Sequence, residues 1–186
     1  MTFTERLAFQ RPTVASTQAR AVTWATFATL WGMVEPLSGR ESIQAAVVAS
    51  QVSYRARLAT QQLEAAAVPV DSITRSGTTA TVTTAAAHGL ATGDYARVAG
   101  ATQTDYNGKF AVTVTNTTVF TYAVGGSPAT PATGTITSTL LVPVQPTLRI
   151  VWTPSWDAGQ AAKTLQVLAV RLLDRRRTEL DLGEAA

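Results

Sequence analysis

His88 is the one histidine in 186 residues, and the chain has no cysteine for it to activate. Nucleophilic catalysis needs a base beside a serine, cysteine or threonine, with a third group holding the base in place. His88 stands in Ala87-His88-Gly89-Leu90, a turn sequence with no nucleophile motif beside it, so the expectation is a turn or surface histidine whose ring hydrogen-bonds locally. Asp94 and Asp105 could be read as a carboxylate pair for acid-base work. Both lie in turn-forming sequence, where aspartate commonly bonds nearby backbone amides, and turn stabilisation is the better reading. A metal centre would require further ligands, and no HxxxH, HExxH or acidic calcium loop is present. Without cysteine, disulfide frameworks, thiolate catalysis, zinc ribbons and iron-sulfur sites all drop out together. The glycines form neither GxGxxG nor a phosphate loop, and Gly125-Gly126 leads into Ser127-Pro128 rather than a helix. No enzyme activity, cofactor or metal is expected.

Arginine offers a different chemistry, contact with phosphate. Arg175-Arg176-Arg177 follows Asp174 and precedes Glu179, which reads as a solvated reversal between two strands, with phosphate contact as the alternative. A weak basic cluster repeated around a channel by many copies would favour DNA even though one copy would not. Arg55 and Arg57 share one strand face and raise the same question. They serve equally well as partners for acids on a neighbouring strand or subunit. Four tryptophans could stack on sugars or bases, but tryptophan is more often core. Trp31 and Trp152 lie in the most strand-like apolar stretches and are expected to be buried, and Trp156, in a loop beside Pro154 and Asp157, is the expected exposed anchor.

The elements that must position these residues come in two styles. Residues 71–142 hold 19 of the 31 threonines and 8 of the 12 glycines. Their charges cancel, Arg75, Arg97 and Lys109 against Asp71, Asp94 and Asp105, so the whole net charge of +3 belongs to the flanks. That excess is too small to stand as a nucleic-acid footprint. With 46% apolar and 15% charged residues the chain has material for a core. The start Met-Thr-Phe-Thr-Glu-Arg lacks signal-peptide features, and no apolar run reaches the ~18 residues a membrane helix needs, so neither export nor membrane contact is expected.

Within the middle segment, residues 79–84 alternate threonine with Ala80 and Val82. Phe110, Val112 and Val114 keep one period-two face, and Phe120, Tyr122 and Val124 keep another. Turns are expected at His88-Gly89, Thr92-Gly93-Asp94, Asn107-Gly108 and Gly125-Gly126, giving a small all-β module. In the first flank, residues 3–13 and 22–34 read as two strands, residues 40–50 as a short helix with Ser38 as a cap, and residues 51–58 as a half-buried strand. Residues 59–70, rich in Gln and Ala, read as a helical or loose connector. Val142-Pro-Val-Gln-Pro146 is a link, because proline cannot donate within a sheet. Residues 148–152, 165–173 and 179–182 supply three more strands that complete a barrel-like set with the first flank. The fold class is thus mainly β: residues 1–70 and 143–186 form a discontinuous small β-barrel with one short helix, interrupted by an all-β insertion module at 71–142.

Leu7-Ala-Phe-Gln-Arg-Pro12, the run WATFATLWGMVEPLSGRE from Trp24 to Glu41, Tyr54-Arg-Ala-Arg57 and the run LQVLAVRLLDRRRTELDLGE from Leu165 to Glu184 together resemble the head-tail joining proteins of tailed bacteriophages, also called head-completion or stopper proteins. The most specific piece is the tryptophan with the Val-Glu-Pro-Leu-Ser-Gly-Arg-Glu turn. The resemblance covers roughly residues 1–60 and 142–186. Family members are usually shorter and run from the Arg-x-Arg strand almost directly into the proline-bearing segment. The 71–142 module interrupts that join. It resembles a β-rich insert that recurs in phage structural proteins and is similar to the first catalytic-cysteine half-domain of ubiquitin-activating enzymes, a likeness of fold without the activity's residues.

The resemblance implies a virion protein of the head-tail connector, assembled in the bacterial host cytoplasm. It implies a homo-oligomeric ring of twelve copies beneath the portal and its adaptor, closing the DNA-filled head and presenting a platform to tail terminator or tail tube proteins. DNA would cross the lumen without sequence specificity. A ring of this kind uses heterologous contacts, for which the projecting segment Trp31, Glu35, Pro36, Leu37, Ser38, Gly39, Arg40 and Glu41 is the expected interface. Arg55, Arg57, Arg175, Arg176 and Arg177 are the candidates to face DNA. The insert is expected to be an outward decoration whose excision leaves ring formation intact. The competing readings are a different neck subunit, adaptor or tail terminator, and a β-rich adhesive or carbohydrate-binding module.

Overall fold

A computed structural model describes residues 4–13, 22–37, 52–60, 62–155, 159, 161–174 and 177–185. Its strands in chain order are β1 (Glu5–Thr13), β2 (Thr23–Pro36), β3 (Tyr54–Leu58), β4 (Gln62–Glu64), β5 (Val68–Ser76), β6 (Thr79–Thr84) and β7 (Tyr95–Ala101). They continue with β8 (Gly108–Val114), β9 (Val119–Ala123), β10 (Gly134–Pro143), β11 (Arg149–Trp152), β12 (Lys163–Leu172) and β13 (Thr178–Glu184). A 3-10 turn at Thr104–Tyr106 is the helical segment among the described residues. The chain divides into two compact units, Met1–Leu63 with Pro143–Ala186, and Glu64–Val142.

The first unit is a closed antiparallel barrel in the order β1-β11-β12-β13-β3-β2. Three of its strands come from each end of the chain, so neither end closes the barrel alone. Period-two alternation supplies the core: Leu7 and Phe9 from β1, Ala56 and Leu58 from β3, Ile150 and Trp152 from β11, Leu165 and Val167 from β12, and Leu180 and Leu182 from β13 are all buried. Each large apolar side chain among them contributes roughly 1.5–3 kcal/mol of burial. Closure removes sheet edges where neighbours are matched in length. β2 is not matched. Across its length it pairs with β1, from Glu5↔Gly32 to Thr13↔Thr23, but with β3 only from Gly32 to Pro36.

The second unit is built on the sheet order β4-β10-β5-β6-β9-β8-β7, and a further β10–β7 pairing returns it on itself. Ile73, Val82, Val98, Tyr106, Phe120 and Leu140 are buried in it. Phe110 stacks on Tyr122 with centroids 4.2 Å apart. The expected strands at 79–84, 110–114 and 120–124 correspond to β6, β8 and β9.

One expectation changes. Of the helical or loose connector expected at 59–70, the described residues hold no helix: Thr60 takes the amide of Gln62 at 3.2 Å, β4 follows, and β5 starts at Val68. Alanine favours helix locally, but Pro69 and Val68 find partners in Thr137 and Ser138 of β10, and sheet pairing outweighs propensity. The change in composition at residue 71 therefore falls inside β5. The helix expected at 40–50 and its Ser38 cap lie outside the described residues.

Candidate functional site

On β3 the alternation that sends Ala56 and Leu58 inward puts Arg55 and Arg57 on the outer wall. On β13 the same alternation sends Leu180 and Leu182 inward and leaves Glu179 and Asp181 outside. The β3–β13 register sets Glu179 opposite Arg57 and Asp181 opposite Arg55. Glu35 of β2 lies opposite Arg55, and Arg171 of β12 opposite Glu179. The charges join into a lattice. Arg57 Nε reaches Glu179 Oε2 at 3.1 Å and its Nη1 reaches Glu35 Oε2 at 3.6 Å. Arg55 Nε lies 3.5 Å from Glu179 and 3.7 Å from Asp181. Arg171 meets Glu179 at 3.3 Å and Asp181 at 2.5 Å. Arginine stems cover the two β13 acids so fully that Glu179 is 8% and Asp181 5% exposed. Both arginines of β3 are thus engaged by acids of neighbouring strands, the pairing that the sequence left open beside phosphate contact.

The wall formed by β1, β2 and β11 is different in kind. Trp31 was expected in the core and is instead 59% exposed. Apolar residues occupy both phases of Leu30-Trp-Gly-Met-Val34, so hydrophobicity alone does not choose the phase. Ala28, Gly32 and Val34 are buried and take the inward one. Gly32 is needed there: a Cβ would stand 2.6 Å from Leu7 Cδ1 and 3.2 Å from Leu58 Cδ2. The Arg6 guanidinium lies 6.0 Å from the Trp31 ring, and that of Arg149 lies 4.2 Å from the Trp24 ring. Pro36 is exposed and Leu37 half-buried, its amide donating to Ser53 O at 3.1 Å. Ser38, Gly39, Arg40 and Glu41, the rest of the expected interface, lie outside the described residues, as do Trp156, Arg175 and Arg176. Arg177 holds Asp174 at 2.6 Å across the reversal.

Trp152 is buried as expected, and its partner was missed. Its indole Nε1 donates to Glu5 Oε2 at 2.8 Å, where the Ser155 amide also donates at 3.1 Å, and the Ser155 hydroxyl donates to Glu5 Oε1. Burial raises the carboxyl's pKa, but the hydroxyl, indole and amide together outweigh it and hold Glu5 below the ordinary 4.5. The signal was available, since Glu5 keeps step with the inward residues Leu7 and Phe9.

In the second unit His88 is buried, not on the surface, and its ring bonds locally as expected. Its Nδ1 accepts the Leu90 amide at 3.0 Å, which leaves Nε2 to donate to Asn116 O, also at 3.0 Å, and Phe120 packs edge-on at 5.3 Å. Asp94 accepts the Ala91 amide at 2.7 Å, as a turn aspartate does. Asp105 lies in the 3-10 turn. Among the described residues no group of three or more His, Asp or Glu is placed to hold a metal ion.

Residues 1–75 match the family model described as phage head completion protein. No curated protein and no solved structure matches the chain. The likeness of the first flank to head completion proteins is therefore shown. It spans β1 to β4 and most of β5, and supports a structural role at the phage head, within the virion.

Proposed function

We propose that this chain, whose residues 1–75 match the head completion family model, acts in the phage neck as a ring that closes the DNA-filled head and connects it to the tail. The match carries the reading, and the closed barrel built from both ends of the chain supports it. In a ring the barrel serves as a rigid wall segment. Its partners are further copies of itself, twelve in all, the portal or adaptor above, and the tail terminator or tail tube below. DNA passes through the lumen held by charge and shape alone, and no bond is made or broken.

The lattice on β3 and β13 fits this role mechanically. Its acids and arginines bridge β2, β3, β13 and β12, so the wall resists shear between strands while carrying no bare charge excess. Arg175 and Arg176, at the β12–β13 reversal, are the cations we assign to DNA. A phage lacking this protein is expected to yield filled, tailless heads that leak DNA. Normal tailed particles from that deletion would falsify the proposal. Class-averaged electron images of whole particles then distinguish a stopper position from that of an adaptor or terminator.

A further inference from the structure

We propose that copies of the chain join head to tail through two different barrel strands, β2 of one copy against β12 of the next. The inference rests on the ring reading above and names its interface. Ala25 to Trp31 of β2 pair with β1 on one side, and no described strand lies on the other. β12 has a matching gap. Its Lys163–Gln166 stretch pairs with β11, whereas Ala169 to Leu172 pair with β13 only. Soluble proteins protect such edges with charge, proline or a covering element. Here each edge carries exposed apolar side chains instead: Val22 is 61% and Trp31 59% exposed at the first, Leu172 65% and Leu173 50% at the second.

Position around the barrel decides the occupant. In the order β1-β11-β12-β13-β3-β2, three steps separate β2 from β12 in either direction, so the two edges lie on opposite walls. Unlike patches on opposite walls give a heterologous contact that repeats from copy to copy and can close into a ring. Strand addition between copies would extend the ladder at each stretch that has no described neighbour. A second copy supplies both apolar cover and hydrogen bonds. The Trp31 ring with Arg6 beside it is the residue pair that interface cores favour.

The test uses the full chain in sedimentation velocity at high concentration. Wild type is expected to form multimers. Trp31→Asp and a Leu172→Asp, Leu173→Asp double variant should each weaken association by roughly 30-fold or more. Mixed in equal amounts, the two variants should give dimers and nothing larger, because each pair keeps one intact contact. All four side chains are exposed, so circular dichroism should be unchanged. As a second route, the chain has no cysteine of its own. Trp31→Cys with Leu172→Cys in one chain should give a disulfide ladder, and an equal mixture of the single variants should give heterodimers. Variants that assemble like wild type, a mixture that stays monomeric, or dimers of Trp31→Cys alone overturn this interface. So does a wild type that stays solitary at every concentration. The variant, mixture and cysteine results leave the neck reading standing, whereas a solitary wild type also counts against its ring, and the deletion phenotype decides the neck role separately.

Discussion

Glu5 sits at the start of β1 on the same inward phase as Leu7 and Phe9 and is buried, where a bare carboxylate would be intolerable. Trp152 and Ser155 make it acceptable with three donated hydrogen bonds. Glu5→Gln keeps the shape, with its amide oxygen accepting the indole and the Ser155 amide and its nitrogen donating to the Ser155 hydroxyl, but it loses the charge that strengthens all three bonds, and is expected to cost about 1–2 kcal/mol at pH 7. Equilibrium urea denaturation checks it. The pH dependence has a definite sign, since the folded carboxyl titrates below its unfolded value of 4.5. The stability it contributes is complete above 4.5 and drains away as the pH falls through the folded value. The gap between wild type and Glu5→Gln should therefore narrow in acid, and a gap that stays constant from pH 7 to pH 3 contradicts the assignment. The inward phase of Glu5 was legible in Glu5-Arg-Leu-Ala-Phe9. Its partner was not, because Ser155 lies 150 residues away and nothing local marks it.

Strands were readable where polar and apolar residues alternate cleanly, as in β6, β9 and β13, and unreadable where they do not. Both phases of β2 are apolar, so Trp31 was assigned to the wrong side. The alanines before β5 signal helix, yet the chain is held by β10. The arginine-acid lattice was half legible: Arg-x-Arg and Glu-x-Asp each declare an outer face, but only the register shows that they meet. From that register a contrast follows. Glu179 is buried beneath three arginines, and Glu179→Ala removes one acid from each, leaving Arg55 and Arg171 to share Asp181 and Arg57 with Glu35, at an expected cost of about 2 kcal/mol. Arg171, with its side chain half exposed, gives up two screened pairs, and Arg171→Ala should cost about 1 kcal/mol or less. Similar melting points for the two variants would mean that the lattice is decoration. Gly32→Val tests barrel closure at the same scale. Its side chain must enter space held by Leu7 and Leu58, and a loss of about 2 kcal/mol or more is expected from thermal melts.

At the scale of the whole chain, the fold divides into two compact units, and every strand of the barrel lies outside residues 64–142. The registers that close the barrel, β1 on β11 and β13 on β3, join the first flank to the last without using any residue of the second unit. For those registers the second unit is a long loop, whose closure cost grows only as the logarithm of its length. Replacing residues 64–142 by a short Gly-Ser linker between Leu63 and Pro143 should leave the barrel folded, with a melting point within a few degrees of the parent. The same variant should sediment as the parent does, since Val22, Trp31, Leu172 and Leu173 are all retained. An unfolded or aggregated product would show that the barrel depends on its insert. A folded product that no longer assembles would move the contact between copies onto the second unit and away from β2 and β12.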